Sequence, residues 1–165
     1  MREEIPQWSW YNGQFLFKFD EYLKNGKHQT SLEQFYKDFI NENSIPEGIY
    51  HTKNQGIVIS LLYTLLVIPK EIWEKENTSF NFEYDDYFET IEGKFHNTLD
   101  FLRLIRNSIS HANFDVDIKS SEYIFWNTNK KGLINFKFKS NHEKLGKFLT
   151  MIGKYYINDV RNKNR

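Results

Sequence analysis

Two periodicities divide this chain. Before His111 the apolar residues recur mainly at helical spacing, whereas from Phe114 to Lys139 apolar and polar residues largely alternate. Alternation is the mark of strands with one buried face, and a spacing of three to four residues is the mark of an amphipathic helix. The order is therefore helices, a β-insert, then a helix. It implies a mainly α fold: a bundle of roughly four or five helices with a small antiparallel β-hairpin inserted before the last one.

The individual elements follow from local signals. Trp8 to Lys24 is rich in aromatics and becomes helical around Gln14, stopping at Asn25-Gly26. Thr30 or Ser31, followed by Glu33 or Gln34, begins a capping box. Leu32, Phe35, Tyr36, Phe39 and Ile40 then mark one face of a helix reaching about Asn41. Ser44 to Gly48 reads as a turn. Ile57 to Ile68 is apolar almost all round, as in a buried central helix, and Pro69 either kinks it or lets a second piece run on through Ile72 and Trp73. Asn77 to Tyr87 has no period and reads as a loop or short turn. The next helix is expected from about Asp86 or Thr90 to His111.

Beyond it, Tyr123 to Thr128 and Leu133 to Lys139 flank Asn129-Lys130-Lys131-Gly132, a hairpin turn, and Phe114 to Ile118 is available as a third strand. The insert spans about Phe114 to Lys139. The final helix covers about Asn141 to Asn158, with Leu145, Phe148, Leu149, Ile152 and Tyr156 on one face, and the tail from Arg161 is expected to fray.

A length of 165 residues fits a single domain, residues 1–165, with room for a proper core. Aromatic side chains make up 18% of it, enough to require a packed interior or a sizeable buried interface. Trp8, Trp10 and Tyr11 are read as core or dimer packing ahead of base stacking. The absence of cysteine removes disulfides, thiolate zinc sites and a Cys nucleophile. No signal peptide opens the chain, and the longest apolar run is too short for a bilayer, so the expectation is a soluble cytoplasmic protein with no membrane contact. The 22 basic residues balance 22 acidic ones, which argues against coating nucleic acid by bulk charge but leaves room for a local phosphate site.

Such a site is written in Arg106-Asn107-Ser108-Ile109-Ser110-His111. Only five arginines occur, and Arg103 and Arg106 both lie here. A guanidinium that grips phosphate and an imidazole that moves a proton suffice to cut a phosphodiester without a metal. On an ideal helix Arg103, Arg106, Asn107, Ser110 and His111 form one polar arc opposite Phe95, Leu102, Ile105 and Ile109. Arg106 and His111 stand on opposite borders of that arc, about 140° apart. They converge only if the helix ends before His111, or if two copies face each other across a two-fold axis. Asn107 and His111, four residues apart, share a face. A His at the negative end of the helix dipole is favoured in its protonated form, as a general acid requires.

Arg106, Asn107 and His111, late in a long helix, with Ala112-Asn113-Phe114 leading into a hairpin, resemble the signature of the HEPN superfamily (higher eukaryotes and prokaryotes nucleotide-binding domains), especially its small stand-alone plasmid and defence-locus members. The resemblance implies a helical bundle and a homodimer with the motif at its interface. It also implies metal-independent endoribonuclease activity, in which a 2′-OH attacks the neighbouring phosphate and leaves a cyclic phosphate. His111 would act as acid or base, Arg106 would stabilise the charge on phosphorus, and Asn107 would orient one of them, with Arg103 and Ser110 as substrate-binding helpers. A role as toxin or phage-defence effector would follow, with RNA as substrate and an antitoxin protein as partner. The alternative is a catalytically silent HEPN domain that binds RNA, nucleotide or a protein partner.

Blander readings stand beside these. Arg106 and His111 also suit a solvated helix end, and Arg103 suits a surface ion pair with Asp100. A third possibility is a purely structural interaction module. His28, His51, His96 and His142 show no paired spacing for zinc, and alternation turns Asp115 and Asp117 to solvent, leaving Asp85-Asp86 as a poor magnesium site. No cofactor is implied, since no Gly-rich phosphate loop and no Gly-x-Ser-x-Gly elbow occur.

Overall fold

A computed structural model of the chain describes residues 4–27, 29–46, 50–52, 54–67, 82–117 and 119–163, with side chains to residue 158. Helix predominates, as α1 (Ile5–Lys24), α2 (Leu32–Glu42), α3 (Gln55–Leu62) with a π turn at Tyr63–Val67, α4 (Thr98–Ser110) and α5 (His142–Lys163). The strands are β1 (Glu89–Glu92), β2 (Phe114–Asp117), β3 (Glu122–Thr128) and β4 (Ile134–Asn141). The chain groups into two compact units, Glu3–Ile57 and Val58–Arg165, the latter together with Met1–Arg2. Pro69, Ile72, Trp73 and the start of the Asn77–Tyr87 segment lie outside the described residues. Tyr84–Asp86, at its end, is a short 3-10 turn.

In the first unit α1 starts at Ile5 rather than near Gln14. Pro6 sits in its first turn, where a missing N–H costs nothing and a fixed φ favours the helix. Ser31 caps α2 as expected, its hydroxyl accepting from the Gln34 N–H at 3.1 Å. Phe15 meets Phe35 and Phe39 edge-on at 5.2 Å each and lies against Tyr50 at 5.9 Å. Trp8 and Tyr11 pack on this core, whereas Trp10 is 54% exposed. Beneath the aromatics, Asn12 and Asn54 exchange reciprocal amide hydrogen bonds of 3.0 Å, and Tyr50 donates to Asn12 at 2.8 Å. These buried polar groups are thus paired rather than stranded.

The second unit contains more sheet than expected. The insert supplies three strands rather than a hairpin alone, and β1, from before α4, joins them in a four-stranded antiparallel sheet in the order β1-β4-β3-β2. β2, β3 and β4 lie close to their expected places. β1 was expected inside a helix starting at Asp86 or Thr90, yet α4 begins only at Thr98. All four β1 residues are exposed, so the strand carries no alternation to betray it. Gly93, at φ +88, then turns the chain so closely that a Cβ would fall 2.5 Å from the Asn135 carbonyl, a conformation open to glycine and strained for other residues. Phe95, expected on the core side of that helix, instead sits before it and meets Phe101 at 5.4 Å.

The core is aromatic. Phe101 of α4 lies 4.9 Å from Phe88 and 5.3 Å from Phe138 of β4, and Phe88 lies 4.8 Å from Phe148 of α5. Leu145, Phe148, Leu149 and Ile152 form the buried stripe of α5 as their spacing requires, and Tyr156 is half-buried. That helix continues to Lys163, past the expected fraying point at Arg161. Among the described residues no helix is long and apolar enough to cross a membrane.

Candidate active site

The motif occupies the last turns of α4, and both ends of that helix are built from side-chain chemistry. At the N-terminus the Asn97 side-chain oxygen accepts from the Asp100 N–H at 2.9 Å, and the Asp100 carboxylate accepts from the His96 N–H at 3.2 Å. Asn and Asp thus take roles like those of Ser and Glu in a capping box, with the carboxylate reaching the residue before the N-cap. Arg103 pairs with Asp100. Burial alone would raise the Asp100 carboxyl, but the hydrogen bonds from Arg103 and His96 and the Arg103 charge outweigh it and hold it below its ordinary value. Arg103 thus serves the helix it stands on.

At the C-terminus the helix closes in a Schellman motif. The Ala112 N–H donates to the Ile109 carbonyl at 3.1 Å and the Asn113 N–H to the Ser108 carbonyl at 2.7 Å. Ala112 takes the left-handed conformation, φ 52, usually given to glycine there. Asn113 then passes straight into the sheet, its carbonyl accepting from the Trp126 N–H at 3.0 Å. From the next inward position of β3, Asn127 reaches α4. Its amide donates to the Leu104 carbonyl at 2.6 Å and to the Ser108 hydroxyl at 2.8 Å, while Ser108 itself donates to Leu104 at 2.9 Å. Asn127 and Ser108 are both buried.

The motif side chains divide as the polar arc foretells. Leu102, Ile105 and Ile109 are buried, Arg106 and Asn107 are half-buried, and Arg103, Ser110 and His111 are exposed. One Arg106 N–H points to the Asn107 side-chain oxygen at a long 3.4 Å. The His111 N–H donates to the Asn107 carbonyl at 3.1 Å, but the imidazole makes no hydrogen bond or ion pair with another described residue. Helix α4 ends at Ser110, with His111 as its C-cap at φ −99, ψ 8. The backbone stays helical through Ser110, so the His111 Cα keeps its helical place five residues on from Arg106. On an ideal helix that step is about 140°. Asp115 and Asp117 are exposed, as alternation requires.

A family model described as HEPN pEK499 p136 matches residues 2–163. The chain belongs to this HEPN family. No curated protein and no solved structure shows a significant match to it.

Sequence reasoning about this HEPN chain did not single out Ser108 and Asn127. Signals for both existed. Ser108 borders the apolar side of the helix, and Asn127 is a polar residue in step with buried Tyr123 and Phe125. A polar residue at an inward strand position needs a partner, and the backbone of the motif helix supplies it.

Two outcomes follow for stability, both read by chemical denaturation. Asn127→Ala removes the donor for two buried acceptors and is expected to cost about 2–3 kcal/mol. Ala112→Gly relieves a left-handed alanine at an exposed position and is expected to stabilise the fold by about 0.5–1 kcal/mol.

Proposed function

We propose that this HEPN chain is a metal-independent endoribonuclease that works as a homodimer. The observation that carries the reading is the fate of the six-residue motif. Its apolar members anchor α4, while Ser110 and His111 stay exposed at the helix end with Arg106 half-buried beside them. A solvated helix end needs no arginine on one border and histidine on the other, whereas phosphodiester cleavage needs both groups.

The chemistry proceeds by internal attack. A neutral imidazole takes the proton from a ribose 2′-OH, and the oxygen attacks the adjacent phosphorus. Charge grows on the non-bridging oxygens, where the Arg106 guanidinium stabilises it. The bond to the 5′-oxygen breaks, that oxygen leaves with a proton from a protonated imidazole, and a 2′,3′-cyclic phosphate remains. One imidazole can serve both ends of the step, taking the 2′-OH proton and then passing it to the 5′-oxygen. Pairing across a two-fold axis lets Arg106 of one copy meet His111 of the other, which the 140° offset denies them within one helix. Asn107, beside Arg106 and one turn from His111, orients the groups, and Ser110 lies on the same exposed surface. A toxin or phage-defence role, neutralised by an antitoxin protein, fits such an activity.

The test is cleavage of a labelled single-stranded RNA in excess EDTA. Wild type is expected to yield products ending in cyclic phosphate. His111→Ala and Arg106→Ala are each expected to lose roughly 100- to 10,000-fold in rate. The His111 change should leave melting unaltered, because an exposed helix-end side chain contributes little stability. Silence of the wild type with retained RNA affinity would instead support a binding domain. The shared cleft has its own measurement: mixing the two inactive variants should restore cleavage that neither shows alone. A mixture as inactive as its components would place each site within one chain.

A further inference from the structure

Strand β3 turns two faces to two tasks. Tyr123, Phe125 and Asn127 point into the core, while Glu122, Ile124 and Trp126 occupy the opposite face and are half-buried. Trp126 is the step of that outer face nearest the motif, since its N–H bonds the carbonyl of Asn113, two residues beyond His111. On its other side the register places Lys137 of β4 opposite Trp126, also half-buried.

Four residues beyond Trp126, about 13 Å along an extended chain, the hairpin tip carries Lys130 and Lys131, both exposed. The tip is pre-shaped, because the Asn129 side-chain oxygen accepts from the Lys131 N–H at 2.9 Å and the Leu133 N–H at 3.2 Å. Acidic residues bound this row. Asp115 and Asp117 line the β2 edge, Glu89 and Glu92 the β1 edge, and Lys139 lies between Glu89 at 3.5 Å and Glu122 at 3.7 Å. The flat Trp126 ring thus shares its face with Lys137, which Glu92 meets across the ladder, and leads to the exposed lysine pair at the hairpin tip.

We propose that the outer face of the sheet is a track for single-stranded RNA leading to the motif. Trp126 stacks one base, and Lys137 with the hairpin-tip Lys130 and Lys131 holds the phosphates that follow. This names the substrate-binding surface of the nuclease proposed above and rests on that reading for its substrate. The pairing of an aromatic stacking platform with backbone-tracking cations is how single strands are held without base-specific readout.

The experiment measures binding of a fluorescein-labelled 2′-O-methyl oligouridylate by anisotropy. A 2′-O-methyl strand cannot undergo 2′-OH attack, so binding is read on the intact wild-type protein independently of cleavage. Trp126→Leu is expected to weaken binding roughly 10-fold or more, and Trp126→Phe to recover most of it. Lys130→Glu with Lys131→Glu should weaken binding and reduce the slope of log Kd against log salt by about 1.4, given about 0.7 per phosphate contact on a single strand.

Affinity unchanged by these substitutions, or no binding by wild type, overturns the track. Cleavage of ordinary RNA that persists beside such a result leaves the nuclease reading standing. Binding that depends on Trp126, in a protein that never cleaves, sinks the nuclease and keeps the track. If Trp126→Leu lowers the melting temperature, the lysine pair on its exposed turn decides the matter.

Discussion

The amide of Asn127 holds the candidate site together. One buried nitrogen donates to the Leu104 carbonyl and the Ser108 hydroxyl, tying the penultimate turn of the motif helix to the centre of the sheet. Inside a protein such bonds are stronger than in water, and losing the Asn127 amide removes a donor from both acceptors at once. Just past the clamp, the Schellman closure at Ala112 and the ladder bond from Trp126 to Asn113 fix where the chain goes next. His111 therefore sits at a helix end held from both sides: by Asn127 before it and by the β2–β3 ladder after it. A reactive imbalance of even an ångström costs rate, so a general acid–base placed at a helix terminus needs this kind of support.

The same arrangement explains why the β-insert belongs to the site although it contributes none of the motif. Successive residues of β3 point opposite ways, so a single strand presents Asn127 to the helix backbone and Trp126 to solvent. The inward residue sets the position of the motif. The outward residue lies beside the exit of the motif, where substrate would arrive. The aromatic cluster of Phe88, Phe101, Phe138 and Phe148 backs this assembly and joins the motif helix to β4 and α5. It answers much of the unusually high aromatic content with core packing.

Much of this was legible in the residues. Helical spacing located the end of α4 to within a residue, because the switch from period 3.6 to period 2 falls between His111 and Phe114, and the Asn129–Gly132 turn fixed the hairpin. β1 was not legible: Glu89 to Glu92 buries nothing, and its place in the sheet comes from pairing with β4. The start of α1 was hidden because its aromatics serve both the core and the surface, as the contrast between Trp8 and the 54% exposed Trp10 shows, and so mark no single face. Of the site, the exposed and half-buried motif residues follow from the helical arc, since chemistry at a surface needs few long-range facts. The Asn127 clamp joins residues 19 and 23 positions apart, a separation at which local pattern carries no information.

That division between what anchors and what is exposed bears on how the site can act. Leu104 and Ser108 are held to the sheet, and along the helix they belong to, Arg106 and His111 fall on opposite borders of the polar arc. The regular end at Ser110 preserves those contacts and leaves the two groups on opposite borders of the arc. A rigid helix that cannot bring its own cation and imidazole together can do so by symmetry, because a two-fold axis near the arc sets one border against the other without bending either helix. Rigidity within the chain and assembly between chains are then one solution rather than two. On the proposed mechanism, the better the clamp holds the helix, the more the chemistry rests on a second copy.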